Sequence, residues 1–154
     1  MEVKRVETMN ITIAIGTDHR GFALKEFLKQ QTMCGTYTIT WDDCGAFDDE
    51  RSDYPVFAHL VCQRILTDRT SLGVLLCGSG IGMAIAANRF PGIYAGLVWS
   101  AQVARHARED DNCNVISLAA DFCDEKLAKK ILESWLQAEF KGGRYAERIA
   151  MLDD

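Results

Sequence analysis

The stretch Gly73-Val-Leu-Leu-Cys77-Gly78-Ser79-Gly80-Ile-Gly82-Met-Ala-Ile-Ala-Ala-Asn88 decides the fold. Its first part, a short run rich in Val and Leu, is typical of a buried strand, and this run ends on Cys77. Three glycines at alternate positions follow, and an alanine-rich helix begins after them. A thiol therefore lies at the carboxyl end of a strand, below bare backbone N–H groups and the positive end of a helix dipole. This arrangement favours both a thiolate and an anionic ligand.

A strand-then-helix pattern repeats along the rest of the chain. Strand-like apolar runs occur at 11–16, 37–41, 74–77, 93–98 and 115–119, and helical patterns occur at 21–31, 54–66, 80–89, 101–109 and 124–140. The alternation predicts an α/β fold, a single Rossmann-like three-layer sandwich in which helices cover both faces of a five-stranded parallel sheet. Ligands of such sheets bind outside the carboxyl ends of the strands, where the loop 16–21 and Cys77 are both expected.

The length of 154 residues fits one domain with a substantial core. Because Ile11 opens the first strand-like run, residues 1–10 are expected to form a loose N-terminal leader and residues 11–154 a single domain. Apolar residues make up 48% of the chain and charged residues 25%, which is ordinary for a soluble globular protein. No apolar run approaches the roughly 20 residues of a membrane span, so we predict no membrane partner.

The net charge and the spacing of the cysteines indicate which classes of ligand the chain can bind. The net charge of −5 argues against a nucleic-acid surface, which usually carries a basic stripe, whereas a small phosphorylated ligand needs only a few local cations. The six cysteines form no CxxC pair and no zinc-like spacing with histidine. We therefore expect reduced thiols and a cytoplasmic location.

Two further segments carry polar groups suited to a phosphorylated ligand. In the loop 16–21, Asp18 and His19 are suited to bind hydroxyl or phosphate groups, although Asp18 could equally cap the helix that follows. The loop lacks the Lys-Ser/Thr pair of a P-loop. Near the end of the chain, Arg144 and Arg148 lie four residues apart. On a helix they share a face that can hold a phosphate or simply offset the dipole of the preceding helix.

Four longer motifs resemble a single family: IAIGTDHRGFALK at 13–25, SDYP at 52–55, GVLLCGSGIGMAIAANRFPGI at 73–93 and EFKGGRYAER at 139–148. On these motifs the sequence from about residue 11 onward resembles the ribose-5-phosphate isomerase B family, which includes the galactose-6-phosphate isomerase subunits. The resemblance implies an enzyme without metal or cofactor that interconverts aldose and ketose phosphates, nominally ribose 5-phosphate and ribulose 5-phosphate. It also implies a homodimer or tetramer with active sites between subunits.

The resemblance assigns roles within the central motif. Cys77 is the base of a cis-enediolate mechanism, and Ser79 moves a proton between the two oxygens of the enediolate. The backbone at Gly78, Gly80 and Gly82 holds the enediolate, and each oxyanion donor of this kind is typically worth about 3–4 kcal/mol. These roles need a loop that brings its N–H groups above the thiol.

Outside the central motif, the resemblance implies that the remaining contacts come from several segments. Asp18 orients the sugar hydroxyls, and His19, Arg144 and Arg148 hold the phosphate across a subunit boundary. Tyr54 is expected either to contact the substrate or only to pack at the start of a helix.

The chain departs from the family in the segment Arg108-Glu-Asp110-Asp111-Asn112-Cys113-Asn114. Family members have a histidine at the position of Asp110, where it opens the sugar ring, and an asparagine at the position of Asp111. We keep Asp110 as a candidate catalytic residue and Asp111 as a candidate substrate-binding residue, while His106, one helical turn earlier, is a possible substitute for the histidine. Asp121 also replaces a phosphate-binding arginine, so the phosphate is expected to be held differently.

Three interpretations stay open at this point. In the first, the chain isomerises ribose 5-phosphate, and Asp110 or His106 opens the ring. In the second, the substrate is an open-chain tetrose or tetrulose phosphate, which has no free hydroxyl to close a furanose and needs no ring opener. In the third, the chain is a non-catalytic subunit that works with a paralogue, although the intact loop at Cys77 argues against an idle subunit.

Overall fold

A single sheet lies between two layers of helices in the computed structural model, which describes residues 4 and 7–154. The strands are β1 (Met9–Thr17), β2 (Met33–Cys34), β3 (Tyr37–Asp43), β4 (Leu72–Cys77), β5 (Ala95–Leu97) and β6 (Val115–Ala119). The helices are α1 (Phe22–Lys29), α2 (Tyr54–Thr67), α3 (Ile81–Ala87), α4 (Ala101–Glu109), α5 (Glu125–Gln137) and α6 (Arg144–Ala150). All the strands and helices predicted from the sequence are present, with ends shifted by a few residues.

The strand order in the sheet is β2-β3-β1-β4-β6-β5. The five strands from β3 to β5 in this order run parallel to their neighbours, whereas β2 pairs antiparallel with β3. The predicted three-layer sandwich with five parallel strands is confirmed, and the structure adds a short antiparallel strand at one edge. That strand is only two residues long, too short for an alternating pattern to reveal it.

The first strand begins earlier than predicted. β1 starts at Met9, and Met9 and Asn10, which were expected in the leader, pair with Tyr37 and Thr38 of β3. Most of the other residues of the predicted leader lie outside the described part of the chain.

Apolar side chains fill both faces of the sheet. α1, α4 and α5 pack on one face, and α2 and α3 pack on the other. β4 is buried along its whole length, as expected for a parallel strand that is covered on both sides. On the first face, Trp135 of α5 is buried, and its indole N–H donates to the carbonyl oxygen of Cys113 at 3.1 Å. No helix in the described residues is both long and apolar enough to cross a bilayer.

The order of the strands reverses between β1 and β4. The chain passes from β1 to β3 on one side, then crosses back over β1 to form β4 on its other side. In open α/β sheets the crevice at such a reversal, outside the carboxyl ends of the strands, is the usual ligand site. Thr17 pairs with Leu76 at this end of the sheet, so the residues that follow β1 and β4 lie close together.

A buried lysine fixes the carboxyl end of β3. Lys25 of α1 is 0% exposed, and its ammonium group lies 2.8 Å from both carboxylate oxygens of Asp43, the last residue of β3. Lys29 also contacts Asp43, at 2.7 Å. Burial by itself raises the pKa of Asp43, but hydrogen bonds from Lys25, Lys29 and the Gly45 N–H outweigh that effect, so the pKa lies below its ordinary value.

We expect the Asp43→Asn variant to lose roughly 3 kcal/mol of unfolding free energy at neutral pH, because it leaves the Lys25 charge buried without its main partner. The pKa of Asp43 is lowered on folding, so its contribution to the free energy of unfolding is present above the unfolded pKa of about 4. That contribution is lost as the pH falls through the pKa of the folded state. Urea unfolding between pH 7 and pH 3 checks both points. Asp42→Asn is the matched control: its pair with Arg64 is exposed, so less than about 1 kcal/mol should be lost. Equal losses in the two variants would contradict the role of the buried pair.

Candidate active site

A cavity of about 340 Å³ opens at the point where the strand order reverses. Its lining combines residues that follow β1, β4 and β6 with the start of α2: Asp18, Arg20, Tyr54, Cys77, Gly78, Ser79, Gly82 and Asp121. Six of these were candidate site residues on sequence grounds, and Arg20 and Asp121 were not. The structure therefore brings together the thiol, a carboxylate and the glycine loop at one edge of the sheet.

The loop after β4 is held in one conformation by its own backbone and by β6. Gly80 has a φ of +73°, in the left-handed region that favours glycine. A Cβ at Gly80 would lie 2.6 Å from a methyl carbon of Leu97 and within 3.1 Å of the β6 backbone, so a side chain does not fit. The buried Ser117 hydroxyl donates to the Gly80 carbonyl at 2.6 Å. The Ser79 hydroxyl accepts from the Ile81 N–H at 3.2 Å, at the entrance to α3.

Cys77 is the thiol in this cavity and is only 5% exposed. The other cysteines are removed from it, and burial is the main cause of their raised pKa values. The pKa rises to about 11 for Cys44 and Cys123 and to about 12 for Cys62 and Cys113, so these groups are protonated thiols near neutral pH.

Asp18 is buried at the end of β1, and one of its carboxylate oxygens accepts from the Arg20 N–H at 3.0 Å. Asp18 therefore caps the short turn that follows, which was one of the two roles predicted for it. It also lines the cavity, as a residue that binds a ligand would. His19 does not line the cavity: its ring Nδ1 accepts from the Ser52 N–H at 3.2 Å, and its backbone N–H donates to the Ser52 hydroxyl at 3.1 Å. This pair of bonds ties the 52–55 segment to the loop after β1.

That tie places Tyr54 at the first turn of α2, beside α3. The tyrosine ring lies against Gly82, where a Cβ would come within 2.8 Å of the ring carbon that carries the hydroxyl. Tyr54 is therefore part of the cavity wall, and Gly82 is needed to make room for its ring. Packing and access to a ligand, the two roles predicted for Tyr54, are both compatible with this position.

The remaining candidates gather elsewhere on the chain. Asp110 accepts from the Lys141 ammonium at 2.8 Å, and one of its oxygens lies 3.2 Å from His106 Nδ1. Lys141, Arg144 and Arg148 surround the ring of Tyr145, with the charged groups 5.0, 5.2 and 5.6 Å from its centroid. None of these residues lines the cavity at Cys77.

The pKa values in this second group, the basic cluster (Asp110, Lys141, Arg144, Tyr145 and Arg148), follow from these contacts. The hydrogen bond from Lys141 lowers the pKa of Asp110, and the bond from Arg144 lowers the pKa of Tyr145. Three cations around one phenol form a site to which an anion would be attracted. Within one chain, the predicted base, Cys77, and the cations predicted to hold the phosphate are therefore separate.

Asp111 belongs to neither group. It lines a larger cavity of about 850 Å³ that is bordered by the segment 88–96 and by the last residues of the chain. That cavity is lined by none of the candidate catalytic residues, so its size does not identify the active site.

Comparison with known proteins agrees with this architecture. A crystal structure of a ribose 5-phosphate isomerase from Thermotoga maritima matches with a TM-score of 0.87 and 39% identity, over 93% of this chain and 97% of that one. A ribose-5-phosphate isomerase B from Mycoplasma genitalium, solved with bound ribulose 5-phosphate, matches with a TM-score of 0.82 and 36% identity, over 95% of each chain. The D-erythrulose-4-phosphate isomerase of Pectobacterium atrosepticum is 36% identical over 143 residues, which is 90% of this chain and 91% of that protein. The model of the ribose/galactose isomerase family matches residues 13–152.

The chain belongs to the ribose/galactose isomerase family. It is an isomerase of phosphorylated sugars, and the resemblance drawn from its four motifs is confirmed. Of the residues that line this isomerase's cavity, Arg20 was missed from the sequence, and Asp121 was noted only as the replacement of a phosphate-binding arginine. A signal was available for both, because each is a charged residue in the loop that follows a predicted strand, at the edge where ligands bind.

Arg20 and Asp121 form a two-point ion pair in that cavity. Arg20 Nε lies 3.2 Å from one carboxylate oxygen of Asp121, and an Nη lies 2.5 Å from the other. The bond to Asp121 is the main reason that the pKa of Arg20 is raised. Asp121, whose presence was expected to change how the phosphate is held, therefore has a cation of its own chain beside it.

Proposed function

We propose that this isomerase interconverts ribose 5-phosphate and ribulose 5-phosphate through a cis-enediolate, with Cys77 as the base. The observation that carries the proposal is the cavity in which Cys77, Asp18 and the glycine loop meet at the reversal of the strand order. An aldose–ketose isomerisation needs one base that reaches two neighbouring carbons, donors for the enediolate oxygens and a group that moves a proton between them.

The proton transfers can be assigned to this loop. The Cys77 thiolate takes the proton from C2 of the aldose, and the electron pair of that bond forms the C1–C2 double bond of the enediolate. The same sulfur returns the proton to C1, which leaves the carbonyl at C2. Ser79 carries a proton from the C2 hydroxyl to the oxygen at C1, so atoms and charge balance. Asp18 accepts hydrogen bonds from sugar hydroxyls and fixes the orientation of the chain of carbons.

The negative charge of the enediolate is stabilised by the backbone of residues 78–82. Gly80 holds this loop in a left-handed turn, and Ser117 anchors its carbonyl from β6. Because these donors are fixed before substrate arrives, they need no reorganisation during the reaction, and each contributes about 3–4 kcal/mol. The cysteine is partly withdrawn from water, which strengthens these interactions.

A second candidate substrate is an open-chain tetrulose phosphate such as D-erythrulose 4-phosphate. The observation in its favour is Asp110, which stands where the ring-opening histidine is expected. The carboxylate of Asp110 accepts a hydrogen bond from Lys141 and contacts His106. A ring opener must exchange a proton with the ring oxygen, and the pKa of Asp110 is lowered further by Lys141, which makes it a poor proton donor near neutral pH. The relative in Pectobacterium atrosepticum acts on D-erythrulose 4-phosphate by name.

Steady-state assays with purified protein separate the candidates. Turnover of ribose 5-phosphate, with erythrulose 4-phosphate a poor substrate, supports the proposal and means that another group replaces the ring-opening histidine. Turnover of erythrulose 4-phosphate alone identifies the open-chain specialist. No turnover of either substrate by the purified chain, followed by activity when a paralogous chain is added, would leave the non-catalytic subunit as the correct interpretation.

We also place the enzyme in the cytoplasm, in keeping with the free cysteines.

The active site is completed, in our proposal, by a second copy of the chain. The basic cluster holds Arg144 and Arg148 away from the cavity of its own chain, so these residues would reach the phosphate in the partner's cavity. Exposed apolar side chains on α3, Ile81 and Ile85, lie directly after the Cys77 loop and give a second copy a surface to cover. A two-fold dimer would contain two such composite sites.

Mixing two inactive variants tests this arrangement. We expect Cys77→Ala and Arg144→Ala to be nearly inactive alone, but a mixture that is unfolded and refolded together should recover about a quarter of wild-type activity, because one site in each heterodimer receives both intact residues. Turnover of the active sugar phosphate, measured before and after co-refolding, checks the result. Each variant refolded alone is the control. If co-refolding recovers nothing, while size-exclusion chromatography shows dimers, Cys77 and Arg144 do not combine across two subunits to form one site.

A further inference from the structure

The Arg20–Asp121 pair has a fixed position relative to Cys77. A Cβ built at Gly78, the residue after Cys77, would lie 2.7 Å from Arg20 Nε and 3.0 Å from an oxygen of Asp121. The Asp121 N–H donates to the Gly78 carbonyl at 3.1 Å, and the Arg20 N–H donates to Asp18 at 3.0 Å. The pair is therefore held against the loop of the proposed base by the loops after β1, β4 and β6.

The charges of the cavity depend on this arginine. Among the residues that line it, Asp18 and Asp121 are acidic and Arg20 is the cation. Without Arg20, a phosphate dianion entering the cavity would meet two carboxylates and no positive group among the described residues that line it. The guanidinium carries five N–H donors, and the pair with Asp121 uses two of them. The remaining N–H groups of Arg20 are therefore available to bind a ligand.

The depth of the two groups indicates which end of the substrate meets Arg20. Cys77, where the reacting carbons must lie, is 5% exposed, whereas the Arg20 side chain is 55% exposed. The charged and strongly hydrated phosphate belongs at the open mouth, and the reacting carbons belong at the thiol. A guanidinium that is already oriented by a carboxylate loses less freedom when it binds a phosphate.

We propose that Arg20 binds the phosphate group of the substrate and that Asp121 is the positioning residue for its guanidinium. This inference rests on the proposed function, because it takes the ligand to be a sugar phosphate. Asp121 acts through Arg20 and does not contact the substrate itself. Its charge is neutralised in the pair, so an acidic residue at the mouth of the cavity is compatible with a dianionic ligand.

Arg20→Gln removes a charged hydrogen bond to the phosphate, and it also exposes the Asp121 carboxylate to that phosphate. We expect KM for the active sugar phosphate to rise about 10- to 100-fold with a much smaller change in kcat. Arg20→Gln combined with Asp121→Asn removes the bare carboxylate and should bind better than Arg20→Gln alone. The same order should hold for the dissociation constant of inorganic phosphate, measured by NMR titration of the whole protein.

Asp121→Ala separates positioning from simple repulsion. If Asp121 only repelled the phosphate, its removal would lower KM. A positioning role predicts the opposite, a rise of about threefold to tenfold, because the guanidinium loses its fixed orientation. Asp121→Glu, which keeps the carboxylate, should restore part of the affinity. A lower KM in Asp121→Ala would overturn the positioning role.

A matched control is available on α2. Arg64 pairs with Asp42 at 2.9 Å, and their side chains are 58% and 34% exposed, against 55% and 33% for Arg20 and Asp121. Arg64→Gln should therefore leave KM and phosphate affinity unchanged. An unchanged phosphate dissociation constant in Arg20→Gln, with its unfolding curve intact, would overturn the inference. Wild-type protein that binds inorganic phosphate through Arg20 but turns over no sugar phosphate would instead contradict the proposed function.

Discussion

Replacing Cys77 by alanine is expected to lower kcat by roughly 10³-fold or more while leaving KM within a fewfold of its wild-type value. A positioned general base contributes about 10²- to 10⁴-fold, and no second thiol lines this cavity among the described residues. The side chain is small and lies at the end of a strand that is packed on both faces, so the fold should survive. Turnover of the active sugar phosphate and a urea unfolding curve check the two parts of this prediction.

Cys62→Ala is the matched control for that result. Cys62 is buried in α2, and burial raises the pKa of its thiol to about 12, so it has no role as a base. Its replacement should cost about 1 kcal/mol of stability through lost packing and leave kcat unchanged. A Cys77→Ala variant that keeps more than a tenth of wild-type kcat would remove Cys77 from the role of base.

The second large effect is expected at Gly80. An alanine there must adopt a φ of +73°, and its Cβ would lie 2.6 Å from Leu97 and 3.0 Å from the backbone carbon of Leu118. The backbone of β6 cannot yield as a flexible side chain would, so we expect roughly 3 kcal/mol of lost stability from strain and overpacking. The loop should shift away from β6, and displaced oxyanion donors should lower kcat/KM about 100-fold. Thermal unfolding and steady-state kinetics measure both.

Gly35→Ala distinguishes backbone strain from the loss of the site. Gly35 also has a positive φ, +57°, but its added Cβ would meet only the flexible side chain of Gln137, at 3.1 Å. We expect about 1 kcal/mol of lost stability and unchanged kcat/KM. If Gly80→Ala behaves like Gly35→Ala, the conformation of the glycine loop is not what sustains catalysis.

The part of the site that could be predicted from the sequence is the part that depends on local order. A strand that ends on Cys77, followed by glycines and a helix, predicts that the thiol and the glycine loop lie together at the end of the strand. Asp18 could be predicted as a neighbour because parallel strands present their carboxyl ends at a common edge. Tyr54 was predicted only through the resemblance of the SDYP motif, and the contact that places it, between His19 and Ser52, is visible only in the structure.

The part that could not be predicted depends on contacts between distant segments. Arg20 and Asp121 are 101 residues apart, and their pairing requires the loops after β1 and β6 to meet over Gly78. No periodicity records such a contact, so Asp121 could only be interpreted as an isolated negative charge. Asp110 and Arg144 belong to a surface whose partner is another molecule in our proposal, and a single sequence carries no pattern for that geometry.

The most direct test of the central claim is solvent deuterium exchange into sugar phosphates, followed by NMR. Purified wild-type and Cys77→Ala proteins are incubated in heavy water with ribose 5-phosphate, ribulose 5-phosphate or erythrulose 4-phosphate in separate samples. A cis-enediolate formed by Cys77 predicts deuterium at the carbon next to the carbonyl in at least one substrate with the wild type, and almost none with the variant. Equal incorporation by both proteins would contradict the assignment of Cys77 as the base.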